Sequence, residues 1–216
     1  MWQAIDAYCE RTSASVWAEP VNAATNLAFI VAAWVMWRRS AGLPVARTLC
    51  VVLTAIGIGS GLFHTFANGV TASLDVAPIL SFILIYVFAA SRDFLGLTGW
   101  RPWAMVVGFV PYAAITVPLF GRIDALGSSA AYAPVPVLIL AFAGAVWRRA
   151  PKTAAGLVLG AMILIASLTF RTLDLPVCHS FPLGTHFLWH LLNALMLGWM
   201  IAVYCRHMRA THRRQV

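Results

Sequence analysis

The chain has 216 residues, of which 61% are hydrophobic and only 10% charged. A soluble domain carries about 25% charged residues, so this composition excludes an ordinary water-soluble fold, and apolar runs of about 20 residues exclude the alternating short segments of a membrane barrel. The net charge of +8 does not mark a nucleic-acid binder, because the basic residues sort by membrane side.

Residues 1–20 contain Asp6, Glu10 and Glu19 and no basic stretch ahead of an apolar run, so the first hydrophobic run reads as a span and not as a cleaved signal peptide. Hydropathy predicts an all-α membrane protein. It forms a seven-transmembrane-helix bundle with spans at 21–37, 46–66, 73–91, 102–120, 130–147, 153–170 and 184–204. Pro111, Pro118, Pro134 and Pro136 fall in the fourth and fifth spans, where neighbouring helices absorb the kinks. Residues 1–204 form one membrane domain, and 205–216 a basic, frayed tail.

Of the 15 Lys and Arg residues, only Arg11, Arg122 and Arg171 fall on the face opposite the basic loops. Arg38, Arg39, Arg47, Arg92, Arg101, Arg148, Arg149, Lys152 and the tail arginines share the other face, with Trp37, Trp100, Trp103 and Trp147 beside them. The positive-inside rule places the N-terminus outside and the C-terminus in the cytoplasm. The short, Arg-rich loops point to a bacterial inner membrane, with any outer-end site near the periplasmic face.

The acids sort the other way. Asp6, Glu10, Glu19, Asp75, Asp124 and Asp174 map to the outer half and only Asp93 to the inner. Ser60 and His64 stand four apart near the outer end of the second span and so share a helix face. Asp75 follows the short turn Ala67-Asn68-Gly69 and opens the third span about one turn deep. His186 and His190, also four apart, share a face at the outer end of the seventh. The topology, which used none of these residues, brings them to one level. Three neutral imidazoles with one position left to solvent form an open catalytic zinc site. Asp75 is the candidate base and Ser60 the candidate donor to a developing oxyanion. The same residues also fit helix-to-helix hydrogen bonding, the commoner role of an isolated intramembrane histidine. His179 reads as exposed or peripheral to the site; His207 and His212 read as tail residues.

At these positions the sequence resembles the alkaline ceramidases. They belong to a superfamily of seven-helix membrane hydrolases that also includes the progesterone and adiponectin receptors. The shared pattern is Ser-x-x-x-His closing the second span, Asp opening the third and His-x-x-x-His in the seventh, here Ser60 to His64, Asp75, and His186 to His190. Tyr8-Cys9-Glu10, then Trp17-Ala18-Glu19-Pro20-Val21-Asn22 and Asn26, also resemble the family's N-terminal segment. The resemblance runs from about residue 6 to residue 204. It implies a zinc amidase with His64, His186 and His190 as ligands, Asp75 as base and Ser60 as stabiliser. The enzyme would cleave the N-acyl amide of ceramide or a related membrane lipid to a fatty acid and a sphingoid base or amine.

The resemblance also implies a calcium site near the N-terminus. The sequence departs from the pattern there: Glu10 and Glu19 match, whereas Ala7 and Thr12 stand where Asp and Asn belong. Asp6, one residue away, is the substitute, which makes Asp6, Glu10 and Glu19 the candidate Ca2+ ligands. Helix capping, or pairing with Arg11, is the other reading of these acids. Cys9 and Cys178 share the outer side, where disulfides persist, and the resemblance supports a bridge between them; Cys50 and Cys205 lie at the reducing end. The competing functional reading is a seven-helix lipid-binding or receptor-like protein with a structural zinc. Loops this short offer no evident surface for an obligate protein partner.

Overall fold

The computed structural model describes residues 4–212, of which no segment is a strand. Two helices, α1 (Pro20–Thr25) and α2 (Leu27–Arg39), are joined at Asn26 and together cross as one apolar unit. After them come α3 (Pro44–Phe66), α4 (Gly69–Ala89), which runs on as a π-helical turn (Ala90–Phe94), and α5 (Arg101–Phe120). A 3-10 segment (Asp124–Ser129) then leads into α6 (Pro134–Val146), α7 (Pro151–Leu173) and α8 (His186–His212). Among the described residues six units are long and apolar enough to cross a membrane, and α6 is apolar but only 13 residues long. This is the pattern of a multi-pass helical membrane protein.

Local chemistry sets many of the helix starts. Pro20, Pro44, Pro134 and Pro151 each open a helix at a position that needs no backbone N–H. Pro134 and Pro136 therefore belong to the first turn of α6 and do not kink a longer span. Ahead of α4, Asn68 accepts from the Val70 and Thr71 amides while Thr71 accepts from the Asn68 amide. This reciprocal cap starts α4 at Gly69, so Asp75 lies nearly two turns in, deeper than expected.

Consecutive helices pack on one another, and α8 closes the ring against α1, α2 and α3. Accordingly α8 carries the longest run of buried side chains, whereas α5 buries only Pro102 and turns Val107, Val110 and Ile115 outward. An outward apolar face is what a lipid-facing helix requires.

The expected fifth span of 130–147 shortens, because Ser129 is buried and bonds Thr172 and the Leu168 carbonyl before the helix begins. The segment expected to fray after residue 204 stays helical through His212. His207 holds it by bonding Thr153 and the Asp93 carbonyl, and Arg209 by bonding the Arg39 carbonyl. Arg213 and Arg214 lie outside the described residues.

Candidate metal centre

The close approach of α3 to α4 builds half of the site. An ideal Cβ placed on Gly59 would fall 2.1 Å from the Leu74 carbonyl oxygen, so only glycine lets the two backbones meet there. Pro78, four residues after Leu74, has no N–H to bond that carbonyl, which leaves it free to face α3. The residues that follow, Ser60 and Asp75, become neighbours, and Asp75 is within electrostatic reach of His64 and Arg171 as well.

Asp174 builds the other half. Its buried carboxylate accepts from the amides of Thr185 (2.8 Å) and His186 (2.9 Å) at the start of α8. Its second oxygen accepts from the Cys9 amide at 2.9 Å. One side chain thus caps the helix that carries two histidines and ties the N-terminal segment to it. Gly184, at φ +66°, admits this packing: a Cβ there would lie 2.1 Å from an Asp174 oxygen. Cys9 is disulfide-bonded to Cys178, with Cα atoms 5.4 Å apart.

His64, His186 and His190 are each about 1% exposed and bring one ring nitrogen apiece within 4.8 Å of the others. Glu19 accepts from His64 Nδ1 at 2.6 Å. A carboxylate only accepts, so Nδ1 carries the proton and the Nε2 lone pair is free. Thr25 gives its hydroxyl proton to the Val21 and Asn22 carbonyls and stands 2.9 Å from His190 Nδ1, which fixes the same tautomer. His190 Nε2 is then buried with no partner, as is Nδ1 of His186. Buried nitrogens are rarely left unpartnered in a finished core. Two orphaned nitrogens beside a third imidazole, with the opposite ring edges of His64 and His190 held by acceptors, are what a bound cation requires. The donor set suits zinc.

Glu19 also pairs with Arg11 and accepts from Asn22, and Arg11 donates to the His64 carbonyl at 3.0 Å. Burial alone would raise the Glu19 carboxyl, but His64, Arg11 and Asn22 together hold it below the ordinary carboxylate value. Tyr8 stacks on His186 with ring centroids 3.7 Å apart. Burial pushes its phenol above the usual value, so it remains protonated at neutral pH.

Two of the three candidate calcium ligands have other partners. Both Glu10 oxygens accept from α1, at the Val21 and Asn22 amides (2.7 and 2.8 Å), Glu19 serves Arg11 and His64, and Asp6 is exposed. Among the described residues the His triad is the one group of three side chains placed to hold a metal, so the calcium expectation finds no support. His179 is exposed. The sequence reading missed Thr25 and Tyr8, the orienting role of Glu19 and the capping role of Asp174. Asp174 stands 11 and 12 residues before the Thr185 and His186 amides that it caps, too far for a local capping signal.

An apolar cavity lies between α4, α6, α7 and α8, lined by Ile83, Leu138, Leu164, Met196 and others, with Tyr132 and Trp189, the neighbour of His190 in sequence, also in its wall. No protein-family model matches the chain, and no curated protein matches it.

Proposed function

We propose that the chain is a seven-pass membrane amidase with its N-terminus outside and its C-terminus cytoplasmic. It cleaves the N-acyl amide of ceramide or a related N-acyl lipid to a fatty acid and an amine. The observation that carries this reading is the convergence of His64, His186 and His190 on one point, with Asp75 and Ser60 beside it. In this reading α6 crosses as the seventh unit. The site lies at the outer end of the bundle, near the periplasmic face of a bacterial inner membrane.

The three histidines would hold zinc, which when bound would polarise the amide carbonyl, a poor electrophile, and lower the pKa of water. Asp75 takes the proton of the attacking water and returns it to the departing amine nitrogen. Ser60 donates a hydrogen bond to the amide carbonyl oxygen as negative charge develops on it. Glu19 and Thr25 keep the imidazoles of His64 and His190 in the binding tautomer. The cavity between α4, α6, α7 and α8 receives an acyl chain, its apolar wall matching a lipid tail.

The test is fatty-acid release from a panel of N-acyl lipids by zinc-loaded protein in detergent, followed by mass spectrometry. Wild type should release fatty acid, and Asp75→Asn should be slower by about 100-fold or more. No release from any N-acyl lipid contradicts the amidase reading; unchanged turnover in Asp75→Asn contradicts the role of that residue.

A further inference from the structure

Arg171 lies in the last turn of α7, at the depth of the metal centre. Its guanidinium carbon sits 5.7, 5.3 and 5.4 Å from the ring centroids of Tyr8, Tyr132 and Trp189. Nη1 donates to the Tyr8 hydroxyl at 3.1 Å. Nε is shielded from solvent and has no hydrogen-bond partner. Among the described residues no carboxylate forms an ion pair with Arg171; Asp75 feels its charge from beyond contact distance.

A guanidinium at this depth normally pairs with an acceptor, and the side edge that includes Nε is the one that takes a planar carboxylate through two hydrogen bonds. Here that edge is unengaged. Tyr132 and Trp189, which flank the cation, also line the apolar cavity. The two rings thus stand between the cation and an apolar space of the kind a hydrocarbon chain fills, and the cation lies within electrostatic reach of His186 and His190.

We infer that Arg171 binds the carboxylate of a long-chain fatty acid whose tail occupies the cavity walled by Tyr132 and Trp189. The inference rests on the amidase reading and extends it to the product. Arg171 holds the carboxylate after amide cleavage and so makes the site select a single-chain lipid acid over its uncharged analogue. The aromatic rings supply cation–π attraction but no acceptor for Nε, so they stabilise the cation without completing its hydrogen bonding.

The experiment compares binding of palmitate and of hexadecanol to purified protein, in wild type, Arg171→Gln and Arg171→Lys, with metal content measured on each sample. Palmitate should bind wild type roughly tenfold more tightly than hexadecanol. This preference should persist after the metal is stripped with chelator. Arg171→Gln should lose the preference while retaining its metal and its hexadecanol affinity. Arg171→Lys, which keeps the charge without the fork, should lose about threefold, and it carries the comparison if the Gln variant does not fold. Equal affinities in wild type, a preference that vanishes with the metal, or one unchanged in the variants overturns the inference. The two readings separate cleanly: acid preference through Arg171 without amide cleavage removes the amidase, and amide cleavage without acid preference removes the anchor.

Discussion

Glu19 accepts a hydrogen bond from Nδ1 of His64 at 2.6 Å, although 45 residues separate them in sequence and the pair is almost fully buried. The contact orients an imidazole whose other nitrogen points toward His186 and His190. Thr25 does the same for His190. Loss of such partners typically weakens a metal site by about 10–100-fold. Glu19→Gln and Thr25→Val should each show that loss in a competition titration against a chelator of known affinity. Unchanged affinity in both would mean that the imidazoles are held by packing alone.

Asp174 makes three bonds to backbone amides that no other acceptor serves. Asp174→Ala should lower stability by about 3 kcal/mol, since buried donors lose a charged partner and α8 loses its cap. Thermal unfolding in detergent, followed by tryptophan fluorescence, measures it. A midpoint equal to wild type would show that water replaces the carboxylate without cost.

Gly59 and Gly144 provide a matched pair. A methyl group on Gly59 meets the Leu74 carbonyl, whereas one on Gly144 meets nothing within 4 Å. Gly59→Ala should cost about 1–3 kcal/mol and separate Ser60 from Asp75, reducing hydrolysis in proportion. Gly144→Ala should be near neutral. Equal effects of the two substitutions on unfolding would contradict the close approach of α3 to α4.

The Cys9–Cys178 bridge spans 169 residues and tethers the segment that carries Tyr8 over His186. Reductant should lower the unfolding midpoint of wild type by the equivalent of about 2–4 kcal/mol. It should leave the Cys9→Ser, Cys178→Ser double variant unaffected. A wild-type midpoint insensitive to reductant would mean that the hydrogen bonds of Asp174 hold the segment unaided.

The part of this architecture legible in the sequence is what periodicity and hydropathy encode. His186 and His190 share a face because helices repeat every 3.6 residues, and Ser60 reaches the level of Asp75 because adjacent spans run in opposite directions. Hydropathy starts the third span at residue 73 and so sets Asp75 too shallow, because the reciprocal cap of Asn68 and Thr71 starts α4 at Gly69. Other relationships arise only in three dimensions. Arg11 and Arg171 count as outer-face charges in a topology argument, yet Arg11 is 6% exposed and locks Glu19, and Arg171 sits among three aromatic rings. The tail looked unstructured because its charges suit water. The helix persists because His207 and Arg209 find partners on other elements.

The proposed chemistry depends on whether His64, His186 and His190 form one metal site. That is tested most directly by elemental mass spectrometry on purified wild type and His186→Ala, grown with ample metal and never exposed to chelator. Wild type should carry about one zinc per chain and the variant none, with both proteins folded. A wild type that carries no metal, or a variant that keeps it, would mean that the three histidines do not form a metal site.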